Sequence, residues 1–140
     1  MSYEIDQTQY IMLELTAACN ARCPACARTQ HFIRDGKPIL GSTNISMAVI
    51  EKLFAKEWAN LNQINIDGNY GDSLFHPQSL EIIQHIINTQ PRHPQIKVFI
   101  STNGGFFNES YWEKLAHLIS QFHPDSTVEF GIDGIDPETH

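Results

Sequence analysis

Apolar runs rich in β-branched residues alternate along the chain with segments in which apolar residues recur at helical spacing. The runs predict strands over residues 10–16, 63–67, 95–101 and 127–132. Each run is followed closely by glycine, cysteine or small polar residues, which are typical of a chain that leaves a sheet and enters a loop.

Three helices are predicted between these strands. The first begins near Ser46, a residue suited to the N-cap, and the second begins just after Pro77. The third spans about residues 108–122. The segment after the cysteines, through Asp35 to Pro38, is predicted to be a polar loop. The apolar stripe of the first helix consists of Ile50, Phe54, Trp58 and Leu61.

This alternation of strands and helices predicts an α/β fold, a parallel sheet with crossover helices. The carboxyl ends of parallel strands meet at one edge of the sheet, where such folds bind ligands. One face of the predicted strands is apolar, and the other carries polar residues such as Asn65, Asp67 and Glu129. The polar face is interpreted either as a wet ligand cavity or as a set of mutual hydrogen bonds inside a core.

The composition places the chain among globular domains. Its 140 residues are 41% hydrophobic and 18% charged, with a formal net charge of −7. The acidic balance argues against nucleic acid or an anionic membrane as a partner. The first ten residues are polar, and no apolar run approaches the roughly 20 residues of a membrane span. We therefore expect a soluble, cytoplasmic protein.

Three cysteines, Cys19, Cys23 and Cys26, lie within eight residues, and the chain has no others. An odd number at such short spacing is a poor disulfide framework and more often indicates a metal site. Three thiolates can hold three irons of a 4Fe–4S cluster and leave the fourth iron open for a cofactor. A Cys3His zinc site that uses His31 as its fourth ligand is the alternative.

The CxxxCxxC spacing directly after the first strand resembles the signature of the radical S-adenosylmethionine (radical SAM) superfamily. Tyr70-Gly71-Asp72-Ser73 is similar to the Gly-Gly-Glu-Pro segment of that family, which binds the amino group of the cofactor's methionine part. Gly71 and Asp72 match the family's second glycine and its acid, whereas Tyr70 and Ser73 depart from the usual glycine and proline.

Two further segments extend the resemblance. Ser101-Thr102-Asn103-Gly104 is similar to a family stretch that reaches the carboxylate or ribose of S-adenosylmethionine, which implies contacts from Ser101 and Asn103. The segment around Asp133 resembles the fourth-strand ending of the SPASM-type subgroup, and Asp133 is a candidate contact to cofactor or substrate. Ala25 departs from the large residue that often packs on adenine in the family.

The resemblance implies a radical SAM core domain over residues 1–140, namely the first four β/α units of a partial TIM-like (β/α)6 barrel, truncated after the fourth strand. It also implies reductive cleavage of S-adenosylmethionine to a 5′-deoxyadenosyl radical that abstracts hydrogen from a small-molecule or peptide substrate. An electron donor and a complementing C-terminal chain are the expected partners. No residue is assigned as a catalytic acid or base. The alternatives are a non-catalytic zinc- or cluster-binding module and one half of a split protein.

Overall fold

Four parallel strands form a single sheet in the computed structural model, which describes residues 7–37, 43–105 and 107–132. The spatial order is β1-β2-β3-β4, the same as the order along the chain. This arrangement confirms the predicted parallel α/β sheet, in which Ile64 of β2 lies opposite Ile11 of β1 and Val98 of β3. The strands are β1 (Tyr10–Leu13), β2 (Gln63–Ile66), β3 (Lys97–Thr102) and β4 (Thr127–Phe130).

The described residues form four α-helices, α1 (Ala27–Asp35), α2 (Met47–Leu53), α3 (Ser79–Thr89) and α4 (Glu109–Ile119). The last three cover one face of the sheet, and the core lies between them and that face. None of the helices in the described ranges combines the length and apolar composition needed to cross a bilayer. The core includes Ile50 of α2, Ile82 and Ile86 of α3, Leu115 of α4, and Ile64, Ile66, Val98 and Ile100 of the sheet.

The prediction of a polar loop after the cysteines was wrong, because residues 27–35 form helix α1. None of the residues of this helix is buried. A helix that faces no core does not need a broad apolar stripe, which is the pattern that indicates a helix in a sequence. Gly36 adopts the left-handed conformation, with φ of 65°, and ends the helix. The glycine that suggested a loop is therefore the helix C-cap.

Helix α2 is shorter than its apolar stripe predicted, since it ends at Leu53. The indole nitrogen of Trp58 donates a hydrogen bond of 2.9 Å to the Leu53 carbonyl oxygen, which would otherwise lack a helical partner. The buried Gln90 side chain fixes the same turn, because it accepts from the Trp58 backbone N–H and donates to the Lys56 carbonyl oxygen. Trp58 and Leu61 remain in the core, but from a turn rather than from a helix.

The sheet's two faces differ as predicted along β2 and β3, where Ile64, Ile66 and Ile100 are buried. On β4 the residues predicted to form the apolar face are less well buried. The Phe130 ring packs on Trp112, with ring centroids 5.2 Å apart, yet Phe130 is 47% exposed and Ile132 is 70% exposed. β4 is an edge strand among the described residues, so its apolar face is only partly covered.

We predict that Gln90→Leu will lower the free energy of unfolding by about 3 kcal/mol, because it leaves the buried Trp58 N–H and the partly buried Lys56 carbonyl oxygen without this partner. Urea denaturation measures this change. Gln84→Leu on the exposed side of α3 is the matched control and should shift stability by no more than about 0.5 kcal/mol. Equal effects of the two variants would contradict the role assigned to Gln90.

Tyr111 joins α4 to α3 through a hydrogen bond of 2.8 Å between its hydroxyl and that of Ser79. Burial raises the pKa of Tyr111 to about 12, helped by the nearby Asp72 charge and opposed by the Ser79 hydrogen bond. The unfolded chain therefore releases this phenol proton first, at its ordinary pKa of about 10. The stability that this pKa difference contributes is fully present below about pH 10 and is lost as the pH rises from about 10 towards 12.

We predict that Tyr111→Phe will show a smaller loss of stability between about pH 10 and 12 than the unmodified chain, because this phenol no longer titrates. Urea midpoints at pH 9 and at pH 11.5 measure the difference. Parallel losses in the two proteins would show that Tyr111 makes no such contribution.

Candidate functional site

The cysteine loop follows β1 and is held in shape by a side chain from α1. The Arg28 guanidinium donates to the Cys19 carbonyl oxygen at 3.0 Å and to the Ala21 carbonyl oxygen at 3.2 Å. The Cys26 N–H donates to the Cys23 carbonyl oxygen at 3.0 Å, which closes a turn between the last two cysteines. The sequence alone did not indicate these contacts of Arg28 with the loop backbone.

Two arginines and a helix N-terminus lie at the cysteine loop, whose three cysteines are each half-buried. Cys26 is the N-cap of α1, so the positive end of the helix dipole lies at the motif. A cleft of about 480 Å³ beside the loop adds two guanidinium groups to this environment. The setting favours an anionic ligand set. The cleft is lined by Arg22, Arg28, Thr29, Phe32 and Ile33.

The loop after β2 lies directly on the backbone that leads into the first cysteine. The Asp72 N–H donates to the Ala18 carbonyl oxygen at 2.8 Å. A Cβ atom on Gly71 would overlap the Thr16 carbonyl oxygen and lie 2.7 Å from that of Ala18. Only glycine allows this close approach of two backbones, which is a structural reason for the glycine that the motif contains.

Asp72 is the most heavily hydrogen-bonded residue of the site and is only 5% exposed. Its Oδ2 accepts from the Thr102 hydroxyl at 2.8 Å and from both the backbone and the side-chain nitrogen of Asn103 at 2.9 Å. Its Oδ1 accepts from the Leu74 N–H at 3.1 Å. Three of the four donors thus converge on Oδ2, whereas Oδ1 accepts a single hydrogen bond and keeps capacity for another.

Thr102 was not predicted as a site residue, although it belongs to the Ser101-Thr102-Asn103-Gly104 segment. It lies on the same strand face as Val98 and Ile100, and it is buried. A hydroxyl on a buried apolar face requires a partner, and the alternation along β3 was the signal that could have identified it. The partner is the Asp72 carboxylate.

The loop after β3 reaches the cysteine loop at two points. The Asn103 side-chain nitrogen lies 3.5 Å from the Cys19 Sγ atom. The Asn20 side-chain nitrogen donates to the Gly105 carbonyl oxygen at 3.3 Å. The structure therefore brings Cys19, Gly71, Asp72 and Asn103 together from segments far apart in sequence.

The remaining predicted site residues are placed less centrally. Tyr70 is 39% exposed and lines a small cleft of about 170 Å³ that also includes Glu14. Ser101 is half-buried on the open face of the sheet. Asp133 lies outside the described residues.

The chemistry of the donor set fits an iron–sulfur cluster. Within the described ranges, no group of three or more His, Cys, Asp or Glu side chains converges on a single metal position. A 4Fe–4S cluster binds each thiolate at a different iron, so its ligands do not need to converge on one point. His31, the fourth ligand of the zinc alternative, is engaged elsewhere, because its ring nitrogens lie 3.1 Å from the Lys37 carbonyl oxygen and 3.1 Å from the Asp35 carboxylate.

Comparison with protein families agrees with this geometry. The sequence model described as the Radical SAM superfamily matches residues 13–140. The chain therefore belongs to the radical SAM superfamily, whose members normally use a 4Fe–4S cluster and S-adenosylmethionine. A search of curated proteins finds no match.

Two solved structures share the fold. The crystal structure of BtrN in complex with AdoMet and 2-DOIA is similar with a TM-score of 0.57 and 19% identity, over 79% of this chain and 42% of that chain. The structure of SeMet BtrN in an open conformation is similar with a TM-score of 0.53 and 19% identity, over 79% of this chain and 45% of that chain. The chain thus spans less than half the length of BtrN, and its fold corresponds to part of a TIM-like radical SAM barrel. Membership of the SPASM-type subgroup stays a prediction.

We predict that Gly71→Ala will destabilise the protein by about 3 kcal/mol, because the added methyl group forces the loop after β2 away from the backbone of residues 16–18. Thermal or urea denaturation measures the loss. Gly131→Ala is the matched control, since the nearest atom to its new Cβ lies 3.9 Å away, and it should change stability by about 0.5 kcal/mol or less. A neutral Gly71→Ala would show that the two backbones do not pack as described.

Proposed function

We propose that this chain forms the cofactor-binding part of a radical SAM enzyme, in which Cys19, Cys23 and Cys26 hold a 4Fe–4S cluster. The observation that carries the proposal is the convergence of three strand-end segments on Cys19. The Gly71–Asp72 segment packs on the backbone before this cysteine, and Asn103 contacts its sulfur atom. The cysteines act as ligands and not as nucleophiles.

The cluster and S-adenosylmethionine, when bound, would supply one-electron cleavage of the cofactor's carbon–sulfur bond, the source of the 5′-deoxyadenosyl radical in this family. The protein residues hold and orient these groups. Arg28 fixes the loop conformation by its two carbonyl contacts, and the start of α1 adds positive charge to an anionic site. The residues proposed to contact S-adenosylmethionine are Tyr70, Gly71, Asp72, Ser101, Asn103 and Asp133.

The arrangement around Asp72 refines its proposed role. Three of its four protein donors converge on Oδ2, and only the Leu74 N–H donates to Oδ1. Oδ1 therefore keeps the capacity to accept a further hydrogen bond, and we assign to it the contact with the amino group of S-adenosylmethionine. The donors on Oδ2 hold the carboxylate in place for this contact.

The substrate and the other partners belong to the same proposal. The chain corresponds to 42% of the BtrN chain, so the remainder of a barrel would come from further polypeptide, either continuous with this chain or supplied as a complementing C-terminal chain. That remainder would provide most contacts to a small-molecule or peptide substrate. The electron would come from an external donor, and the expected location is the cytoplasm.

We predict that the anaerobically reconstituted chain will bind about four irons and show a reduced-cluster electron paramagnetic resonance signal that changes on addition of S-adenosylmethionine. Cys23→Ala should fail to assemble the cluster, because one iron loses its ligand. Thr29→Ala, from the same segment, is the control and should keep a normal iron content.

Three outcomes would contradict parts of the proposal. A stoichiometric zinc ion in place of iron would favour the binding-module alternative. An unchanged iron content in Cys23→Ala would remove this cysteine from the ligand set. A cluster signal that does not respond to S-adenosylmethionine would show that residues 1–140 alone do not form the cofactor site.

A further inference from the structure

The amide of Asn103 makes more contacts than a simple ligand-binding side chain requires. Its nitrogen lies 2.9 Å from Asp72 Oδ2 and 3.5 Å from Cys19 Sγ. The amide nitrogen carries two hydrogens, so it can donate one to the carboxylate and the other to the sulfur. Sulfur is larger than oxygen, and 3.5 Å is a normal length for a hydrogen bond that it accepts.

The neighbouring groups fix which end of the amide faces the cysteine. The Gly105 N–H donates to the Asn103 Oδ1 atom at 2.9 Å, and an amide nitrogen in that position would meet a donor instead of an acceptor. On the other side, the Asp72 carboxylate can only accept. Both contacts demand the same orientation, which places the N–H group and not the carbonyl oxygen against Cys19.

The carboxylate that anchors this amide is itself buried and held by other hydrogen bonds. Asp72 is 5% exposed and is held by the Leu74 N–H and the Thr102 hydroxyl, while the backbone N–H of Asn103 also donates to it. Asn103 is therefore tied to the same carboxylate through both its backbone and its side chain. Little side-chain entropy remains to be lost when the amide donates to sulfur.

We propose that Asn103 is a positioning residue that donates a hydrogen bond to the Cys19 sulfur and thereby raises the reduction potential of the cluster which that sulfur ligates. The inference rests on the proposed function, because it requires a cluster on Cys19. Hydrogen bonds to cluster sulfur atoms are one of the factors that set such potentials. A donor stabilises the reduced form more, since reduction places additional negative charge on the cluster and its ligands.

The test is a redox titration of the reconstituted full chain, monitored by the electron paramagnetic resonance signal of the reduced cluster. Asn103→Leu keeps the approximate size of the side chain and removes the donor. We expect the ratio of reduced to oxidised cluster at a fixed potential to fall roughly fivefold, the effect of losing one modest hydrogen bond. The midpoint potential should move in the negative direction.

Asn20→Leu is the matched control. Its amide joins the same two loops through the Gly105 carbonyl oxygen but is not bonded to the Cys19 sulfur. Loss of a loop-to-loop contact alone would therefore affect both variants alike, whereas the sulfur hydrogen bond is removed only in Asn103→Leu. We expect the potential of Asn20→Leu to stay close to that of the unmodified chain.

The outcomes separate this inference from the proposed function. A wild-type chain that assembles no 4Fe–4S cluster overturns both. A wild-type cluster whose potential is unchanged in Asn103→Leu, or shifted equally in Asn20→Leu, overturns only the role of Asn103. If Asn103→Leu does not retain a cluster, Asn103→Ser is measured instead, since its shorter side chain disturbs packing less. The same negative shift is expected there, and an unchanged potential overturns the inference.

Discussion

The buried carboxylate of Asp72 is the interaction on which the site depends. A carboxylate removed from water without partners would cost several kcal/mol, so its burial requires the donors that the structure supplies. These donors come from its own loop and from the end of β3, and they draw the two neighbouring strand ends together. The Asp72 N–H donates to the Ala18 carbonyl oxygen and so connects the cysteine loop to these two strand ends. One short side chain and its backbone thus connect three segments of the rim.

The same connection explains why the site is built at one edge of the sheet. Parallel strands in sequential order place all their carboxyl ends together, and the loops there can exchange hydrogen bonds over short distances. The helices α2, α3 and α4 pack on one face of the sheet and form the core with it. The core is apolar, whereas the loops at this edge are held by specific hydrogen bonds between polar groups.

The cysteine loop depends on a different kind of support. It contains no buried apolar residue, so packing cannot define its conformation. Arg28 bonds to two loop carbonyls, the start of α1 follows the third cysteine, and Asn103 and Asn20 connect the loop to the end of β3. These polar contacts therefore hold the cysteine loop in place without a bound cluster, so that less of the loop would need to become ordered when a cluster binds.

The sequence by itself determined the positions of the strands, the apolar face of β2 and β3 and the cysteine motif, because these follow from local periodicity and spacing. It did not reveal helix α1, which buries nothing, or the end of α2, which Trp58 and Gln90 impose from outside the helix. It also could not reveal that Asp72 bonds to Thr102 and Asn103, or that Asn103 faces Cys19. Those contacts join residues 30 to 84 positions apart, so only the tertiary fold decides them.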